Sequence, residues 1–444
     1  MLTGDQYRES LRDGRASYLD GERIEDAAAH ALVGKSVDWV AKTYDRHYSA
    51  EAGASNPMYV LPKTKEELQE QMEFLLASDL TAASTAGSMA LRNVAPQLGQ
   101  ANPAYRQRLE SFLDNCREND LRVAIAEGDL GTLRVVERRD DGVVISGGKQ
   151  HVVGAAVVHE LFVVPSRAMG PDEADMAIAC AIPVNTPGLK LVSTTTAPRA
   201  EDDRHFPFSR EHSIPDSIVM FEDVFVPNDR IFLDGEVEHS GALGETLGIW
   251  ERARSTAFQA DQAEILLGLA RTIAEMNGVA EAAHIRDKLA TMAVYARLCR
   301  AGWEAAIAHA HTTETGMVVP DDSFIYAVRA YGVTNYSEMA GWVHDIGGGP
   351  ILTAPTVADY ENEGTHMYVE KYMSTGSNVR GEDRMRIFHL IRDLTADKYS
   401  GWAKINNQLI GGGMYAQKLA ALETYDIAAA KAKARETAQI RDNA

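Results

Sequence analysis

The sequence is poor in the residues that disulfide frameworks, zinc sites and membrane spans require. Its three cysteines, Cys116, Cys180 and Cys299, stand far apart in a chain of 444 residues, so they match neither a disulfide framework nor a paired-thiolate zinc site. No apolar run approaches the roughly 20 residues that cross a bilayer, and the first residues lack the basic and then apolar stretch of a secretion signal. We therefore expect buried, reduced thiols, no membrane association and a cytoplasmic protein.

Positive charge is scarce as well. The chain has 44 Lys and Arg residues against 64 Asp and Glu residues, a formal net charge of −20, and no Lys/Arg-rich run interrupts this excess. An acidic surface repels phosphate backbones and anionic lipids. We therefore expect a small-molecule partner and not nucleic acid. Two or three domains are expected, because single cores stop growing at roughly 250–300 residues.

Local signals predict an N-terminal helical domain over residues 1–120. Thr64 and Glu67 have the pattern of a capping box, in which each side chain bonds the backbone N–H of the other residue. Thr3 and Gln6 repeat this pattern, and another helical stretch covers residues 105–113. Apolar residues at helical spacing support the helix that follows Thr64: Leu68, Met72, Leu75 and Leu76.

Residues 121–236 have the pattern of a middle β domain. Short segments rich in Val, Ile and Phe alternate there with Gly, Pro, Asn and Asp. Asp140-Asp141-Gly142 predicts a hairpin, because Asp-Gly tolerates the positive φ angles of a tight turn. Pro187-Gly188 predicts a second turn.

Helices are predicted again over residues 237–444, where we expect a C-terminal bundle. An apolar stripe runs to Asn277-Gly278, a typical helix end, and a long amphipathic helix follows from about His284. The order helical, β, helical indicates an α+β protein, and without a low-complexity linker the blocks should pack together. The stripe consists of Ile265, Leu266, Leu269, Ile273 and Met276.

Two histidines stand in an otherwise apolar, glycine-containing run within the β domain, GGKQHVVGAAVVHE at residues 147–160. His151 and His159 are an even number of residues apart, so an uninterrupted strand would place both on one face. Gly154 lies between them and is a position at which a bulge would break this parity. The two readings, a pair on one face or a broken strand, stay open at this point.

Seven stretches along the chain carry a pattern more specific than composition. They are MLTGDQYRESLRDGR, YLDGERIED, GGKQHVVGAAVVHELFVVPSRAM, DEADMAIACAIPVNTPGLKLVS, VMFEDVFVPNDRIFLDGEVEHSG, HDIGGGPILTAPT and GEDRMRIFHLIRDLTAD. Together and in this order they resemble the 4-hydroxyphenylacetate 3-monooxygenase family, which also holds the 4-hydroxybutyryl-CoA dehydratases. In sequence these stretches are closer to the dehydratase branch, and the match covers nearly the whole chain.

This resemblance implies an acyl-CoA-dehydrogenase-like architecture of an N-terminal helical domain, a middle β domain and a C-terminal bundle that forms the oligomer. Family members are typically homotetramers that bind FAD between the β domain, the bundle and a neighbouring subunit. The monooxygenase branch receives its FAD as FADH2 from a separate reductase. The dehydratase branch combines FAD with an iron–sulfur cluster.

The cluster of the dehydratase branch needs thiolate ligands, because soft sulfur holds the iron. Aligned with that branch, Ser84 and Ser88 occupy the positions of two cysteine ligands, and Val294 and Ala301 those of a histidine and a cysteine. Asn406 replaces an acidic residue of the dehydratase. We therefore expect no iron–sulfur cluster and no radical dehydration.

The resemblance then implies a two-component, FADH2-dependent aromatic monooxygenase. Such an enzyme hydroxylates a phenol-type substrate through a flavin C4a-hydroperoxide that the protein keeps away from water. Two alternatives remain: a cluster-free flavoenzyme acting on an acyl-CoA in the manner of an isomerase, or a member whose activity is lost or redirected to non-oxidative chemistry.

The resemblance also implies a set of site residues. His151 occupies the position of a His-x-Thr-Gly-like element and is expected at the reacting face, and Arg92 is expected to help hold a phenol, although Pro96 replaces the tyrosine of the hydroxylases. For each position the alternative is a structural role in the core, a strand end or a helix end. Flavin contacts are expected from His151, Val153, Gly154, His159, Thr194, Thr195, Gly347, Gly348, Gly411 and Gly412. Substrate contacts are expected from Arg92, Phe208 and Ser209, and no metal site is expected.

One departure from the family bears on this site. After Ala124 the chain has only IAEGDLGT before the next strand, at residues 125–132, where family members usually carry a much longer segment near cofactor and substrate. A wall of the active site is therefore expected to be absent or rebuilt.

Overall fold

A computed structural model describes residues 1–199, 202–376, 378–410 and 412–440 of the chain. The N-terminal block contains the helices α1 to α6, which are Gly4–Ser10, Val33–His47, Lys65–Leu76, Leu80–Ala90, Ala95–Ala101 and Pro103–Glu118. The helix predicted after Thr64 is confirmed as α3, and the stretch at 105–113 lies inside α6. The predicted N-terminal helices are therefore present.

The two predicted capping boxes differ in the structure. Thr3 and Gln6 form a complete box, because the Thr3 hydroxyl accepts from Gln6 N–H at 3.2 Å and Gln6 accepts from Thr3 N–H at 2.9 Å. At α3 the Thr64 hydroxyl accepts from Glu67 N–H at 3.1 Å, but the Glu67 carboxylate accepts from Lys63 N–H instead, at 2.7 Å. The second box is thus only half formed, since the carboxylate reaches one residue further back.

The strands form two main sheets. The six-stranded sheet has the order β2-β1-β8-β9-β5-β4, and the four-stranded sheet has the order β10-β7-β6-β3. The strands β1 to β10 are Ser17–Leu19, Glu22–Arg23, Val123–Ala126, Arg134–Arg139, Gly142–Val153, Glu160–Val163, Ile178–Pro183, Leu189–Thr194, Asp216–Pro227 and Ile231–Asp234. The predicted β region therefore supplies β3 to β10.

Two strands arise where only helices were predicted. β1 lies parallel to β8, with Tyr18 opposite Val192, and β2 pairs antiparallel with β1. A strand of two or three residues is too short to show an alternating pattern, so its pairing depends on the neighbouring sheet. The N-terminal segment thus extends the six-stranded sheet.

Both predicted turns are present, but for different reasons. Asp140-Asp141 joins β4 to β5 as a two-residue hairpin loop, with Arg139 opposite Gly142, although no residue from 140 to 142 has positive φ. Gly142 is required there by space, because a Cβ would lie 2.2 Å from the Val226 carbonyl oxygen. Gly188, by contrast, has φ +88° and supplies the conformation that a turn requires.

The C-terminal block is built on three long helices, α7 (Val237–Met276), α8 (Ala283–Ala308) and α9 (Asp322–Gly347), which pack against one another. The predicted end of α7 is confirmed, because Asn277 caps it and Gly278 follows with φ +69°. A small pair of strands, β11 and β12 (His311–Thr312 and Val318–Val319), separates α8 from α9. The remaining helices α10 to α16 are Pro350–Thr353, Val357–Glu361, His366–Met373, Gly381–Thr395, Lys398–Leu409, Met414–Glu423 and Ile427–Thr437.

One hydrophobic core reaches all three blocks, because its buried apolar residues run from Leu68 in α3 through Phe162 in β6 to Leu247 in α7. Two further clusters lie within the C-terminal bundle and around α1 and α2. The prediction that the blocks pack together is therefore confirmed, and so is the α+β class. In the described part of the chain, no helix has the length and apolar character needed to cross a bilayer.

Candidate active site

A cavity of about 1020 Å³ lies where the six-stranded sheet faces α7 and the C-terminal helices α14 and α15. Its sheet wall is formed by paired residues of β8 and β9, with Val192 opposite Ile218 and Thr194 opposite Asp216. Val192 and Ile218 are 43% and 45% exposed, although they lie in the middle of the sheet. This wall thus offers an exposed apolar pair, with a hydroxyl and a carboxylate further along the same two strands.

His151 enters the cavity because β5 bulges. The pairing of β5 with β9 shifts between Lys149 and Val152, and His151 has φ +57°, a left-handed conformation that is uncommon for a residue with a side chain. The bulge turns the exposed imidazole towards the cavity, near Asp216. Burial raises the pKa of the Asp216 carboxyl, while His151 and a hydrogen bond with Trp402 oppose that rise.

The short segment after β3 folds back onto β5 beside this bulge. The Gly128 carbonyl accepts from Gln150 N–H at 2.9 Å, and a Cβ on Gly128 would lie 2.1 Å from the Gln150 carbonyl oxygen. The Lys149 ammonium donates to the backbone carbonyls of Glu127 at 3.1 Å and Val164 at 2.9 Å. Only glycine permits this approach, which holds Glu127 at the cavity wall.

Glu127 has the most strongly altered proton affinity among the carboxyl groups of this cavity. Burial, together with the neighbouring Glu251 carboxylate, raises the pKa of Glu127 to about 7, whereas Lys149 and Arg252 oppose the rise. A carboxyl group with a pKa near neutrality can accept and donate a proton under physiological conditions. The cavity therefore contains a group suited to acid–base chemistry.

Helix α7 supplies two arginines to the same cavity. The Arg252 guanidinium lies 4.9 Å from the centre of the Tyr326 ring, and Arg254 lines the wall shared with the C-terminal helices. The Arg254 Nε is buried and has no hydrogen-bond partner among the described residues. A buried donor without a partner is costly, so it points to a group that binds there.

The C-terminal wall of the cavity is held by a fully buried arginine of α9. Arg329 donates to the Asn407 carbonyl at 2.7 Å and to Gln417 Oε1 at 3.1 Å, and it also contacts the Ser255 hydroxyl. These bonds connect α9 and α7 to α14 and α15. Burial, with Arg252 as the next cause, lowers the pKa of Arg329 to about 10.

A smaller cavity of about 240 Å³ adjoins the larger one. The two share Leu80, Arg254, Trp402, Asn406 and Ile410. Phe208 lines the smaller cavity and stacks on His212 at 4.2 Å between ring centres. Asp393 fixes this loop, because one carboxylate oxygen accepts from Phe208 N–H and Ser209 N–H, both at 2.8 Å.

Of the residues predicted from the sequence, His151, Val153, Thr194 and Gly412 line the larger cavity. Gly154 is close behind it, where its φ of +82° ends β5 and a Cβ would lie 2.6 Å from the Thr81 methyl carbon. Thr195 is buried outside the cavity, where its hydroxyl accepts from Ala197 N–H at 3.1 Å. Gly411 lies outside the described residues.

His159 is corrected by its placement, because it lies in the core and not against the cavity. Gly154 breaks the strand, so His151 and His159 do not share a face. His159 Nδ1 accepts from Arg122 N–H at 2.8 Å, which places the ring proton on Nε2; this atom contacts Ser10 Oγ at 2.8 Å, whose hydroxyl donates to the Tyr7 carbonyl. Burial and the nearby Arg15 and Arg122 lower the pKa of His159 to about 3, so the ring stays neutral.

Arg92 lies away from both cavities, so its predicted contact with the substrate stays a prediction. Its guanidinium pairs with Asp114 of α6 at 2.6 Å and lines neither cavity. Phe208 lines only the smaller cavity. Ser209 is buried, and its backbone N–H donates to Asp393. Sequence alignment could not foresee this, because the direction of a side chain depends on neighbouring elements.

The two glycines near the end of α9 serve helix packing and termination within this chain. A Cβ on Gly347 would lie 2.7 Å from the Ile351 side chain, and Gly348 caps the helix with φ +70°. Neither lines the cavity of the same chain. Their predicted contact with a flavin is therefore not part of the site that this chain forms by itself.

The four positions aligned with cluster ligands are dispersed. Ser84 lines the larger cavity, whereas the Ser88 hydroxyl donates to the Thr85 carbonyl. On α8, Val294 is 56% exposed and Ala301 is exposed as well. Across the described ranges no group of three or more His, Cys, Asp or Glu side chains is arranged to hold a metal ion.

Sequence reasoning missed the charged groups of the cavity: Asp216, Glu127, Glu245, Glu251, Arg252 and Arg254. One signal was available for the last three. They form the stretch Glu-Arg-Ala-Arg within a helix whose neighbouring residues are mainly small or apolar, and charges on a buried helix face are unusual without a partner or a ligand.

Comparison with known proteins supplies the family. Models described as the N-terminal and C-terminal parts of 4-hydroxyphenylacetate 3-hydroxylase match residues 3–233 and 240–439. The chain is 27% identical over 439 residues to the oxygenase component of 4-hydroxyphenylacetate 3-monooxygenase from Geobacillus sp. strain PA-9, covering 89% of this chain and 88% of that protein. It is 25% identical over 497 residues to 4-hydroxybutyryl-CoA dehydratase/vinylacetyl-CoA-Delta-isomerase from Clostridium aminobutyricum, covering 99% of this chain and all (100%) of that protein.

A solved structure agrees with the fold. The oxygenase component of 4-hydroxyphenylacetate 3-monooxygenase, solved in complex with FAD, superposes with a TM-score of 0.89 at 22% identity and covers 98% of each chain. At that identity the likeness shows the fold alone. The acyl-CoA-dehydrogenase-like architecture expected from the sequence is confirmed.

Proposed function

The chain belongs to the 4-hydroxyphenylacetate 3-hydroxylase family, and on that premise we propose that it is the oxygenase of a two-component, FADH2-dependent aromatic monooxygenase. Its substrate would be a small or medium phenol. The observation that carries the proposal is the cavity of about 1020 Å³, with the exposed Val192–Ile218 pair on its sheet wall, in a chain that matches the family models along most of its length.

The volume and the lining of the cavity support a flavin as its ligand. The paired Val192 and Ile218 offer an exposed apolar plane against which a flat aromatic ring can stack. Thr194 adds a hydroxyl at the end of that plane, and the buried Arg254 Nε offers a donor that lacks a partner among the described residues. These residues, with Val153 and Gly412 at the rim, would hold the cofactor.

Reduced FAD would supply the activation of O2. The part of the protein is to hold the phenol beside the cofactor, to exclude water and to control the phenolic proton. His151 is placed for a hydrogen bond to the phenolic oxygen, because its imidazole is exposed to the cavity beside Asp216. The strained bulge at His151 favours such a role, since strained residues cluster at functional sites.

Two partners follow from this proposal. A separate flavin reductase would supply the FADH2, because related monooxygenases are oxygenase components of such systems. We also propose a homotetramer, in line with the family and with exposed apolar residues on the outer helices, such as Leu352 at 75% and Tyr372 at 69% exposure.

The test combines flavin binding with product analysis. Anaerobic titration with FADH2 is expected to show binding that Val192→Lys abolishes and that Val136→Lys retains, because Val136 is an equally exposed strand valine outside the cavity. With a flavin reductase, O2 and a panel of para-substituted phenols, hydroxylated product is expected by mass spectrometry. Peroxide release without product across the panel would contradict the proposal.

A second candidate is a cluster-free flavoenzyme that acts on an acyl-CoA. The observation in its favour is the similarity to the Clostridium dehydratase/isomerase over 99% of this chain. It requires CoA thioesters to bind, so calorimetry with crotonyl-CoA is a direct check. Absence of measurable heat at saturating protein concentration would remove this candidate.

A further inference from the structure

We propose that Glu127 is the general base that accepts the phenolic proton of the substrate. Glu127 lies on the short segment that stands where family members usually carry a longer one. This inference rests on the proposed function and names a residue for one of its steps. Glu127 lines the larger cavity, and the short segment after β3 delivers it there. The sequence offers no motif for it.

The position of the carboxylate is determined by backbone geometry. Gly128 binds the bulged strand through Gln150, whose neighbour is His151, so Glu127 and His151 flank one backbone hydrogen bond at the cavity wall. Lys149 holds the Glu127 carbonyl from behind. The side chain then extends towards α7, because a Cβ on Gly244 would lie 3.5 Å from Glu127 Oε1.

The charges that face Glu127 favour a proton acceptor over a permanent anion. Glu251 and Arg252 of α7 and Lys149 of β5 act on the Glu127 carboxyl, and Glu245 and His151 line the same cavity. Burial raises the pKa of Glu127, and the neighbouring Glu251 carboxylate acts in the same direction. No hydrogen bond within the described residues occupies the Glu127 carboxylate, so it is available to a ligand.

The proposed step is a balanced proton transfer. The phenol O–H bond breaks, its proton moves to a carboxylate oxygen of Glu127, and the electron pair stays on the phenolic oxygen. The resulting phenolate donates charge into the ring and makes the ortho carbon a better nucleophile. On product release the proton returns to the phenolic oxygen, so Glu127 is regenerated.

The test uses three isosteric variants of the full chain in the coupled hydroxylation assay. Glu127→Gln is expected to lower the rate of product formation about 10²–10⁴-fold, while anaerobic FADH2 binding is retained. The ascending limb of the wild-type pH–rate profile, expected near pH 7, should be absent in this variant. Glu137→Gln on the exposed strand β4 is the matched control and should leave the rate and the profile unchanged.

Glu251→Gln separates a chemical role of Glu127 from a structural one. Removal of the Glu251 charge should shift the ascending limb to lower pH, because that charge raises the pKa of Glu127. Infrared difference spectra between wild type and Glu127→Gln provide a readout without turnover: a protonated carboxyl band should disappear as pH rises through about 7.

The failures are distinguishable. If wild type hydroxylates phenols and Glu127→Gln keeps its rate and pH profile, the role of Glu127 is refuted and the proposed function stands. If Glu251→Gln leaves the limb where it was, Glu127 is not the titrating base. If wild type yields no hydroxylated product, the proposed function is refuted, and the role of Glu127 with it.

Discussion

Replacement of His159 by asparagine should make the free energy of unfolding depend less on pH in the acidic range. The ring of His159 is neutral in the fold, with a pKa of about 3 against a reference value of 6.5. The unfolded chain therefore binds one more proton than the folded chain between these two values, and the free energy of unfolding falls as pH decreases through that range. Above pH 6.5 the histidine is neutral in both the folded and the unfolded chain, so this loss of stability is absent there.

The magnitude follows from the size of the shift. At about pH 4.5 the unfolded histidine is protonated and the folded one is not, which lowers the free energy of unfolding by about 2–3 kcal/mol at 1.36 kcal/mol per pH unit. Because His159 is partly exposed as a residue, we take the lower end of this range. Near pH 7.5, loss of the bonds to Arg122 and Ser10 should instead make His159→Asn less stable than wild type by about 1–2 kcal/mol.

Urea unfolding of wild type and His159→Asn, followed by circular dichroism at both pH values and equal ionic strength, measures the difference. The stability advantage of wild type should shrink or reverse at the lower pH. His284→Asn on α8 is the control, because this histidine is exposed. An advantage that is the same at both pH values would refute the assignment of His159 as a neutral core residue.

Three further changes have defined outcomes. His151→Gly should raise the free energy of unfolding by about 0.5–1 kcal/mol, because glycine adopts φ +57° without strain, and should reduce phenol binding in an equilibrium titration. Arg329→Met should release α14 and α15, at a cost of about 2–4 kcal/mol, and limited proteolysis should then cut near residues 407–417 more rapidly. Asp393→Asn should weaken the hydrogen bonds that position 393 accepts from the backbone N–H groups of Phe208 and Ser209. Faster hydrogen exchange of these two amides would report the change.

Signals that act within a few residues were readable from the sequence. Thr3 and Thr64 begin helices because their hydroxyls bond nearby backbone N–H groups, and Asn277-Gly278 ends one because glycine accepts positive φ. The turn at Gly188 was predicted for the same reason, whereas the hairpin at Asp140-Asp141 is present without the positive φ that was expected there. The family resemblance added the block order and the expectation of a flavin site.

Positions that depend on more distant neighbours were not readable. Strand parity suggested that His151 and His159 share a face, but a bulge and Gly154 separate them, so one enters the cavity and the other the core. Arg92 was expected at the substrate, yet Asp114 of α6 holds it elsewhere. Each outcome was decided by the element that packs against the residue in question.

Taken alone, the sequence determined the α+β class, the starts of α1 and α3, the end of α7, two turn positions and the acidic character of the protein, because these depend on composition and on short-range patterns, and seven ordered stretches indicated the family. Only the tertiary structure decided which side chains meet in the cavity. Glu127 and Glu251 are far apart along the chain, and their proximity arises from a short segment after β3 that glycine allows to close against β5. The proton affinity of Glu127 follows from that proximity and from burial, and neither property is encoded in the residues next to it.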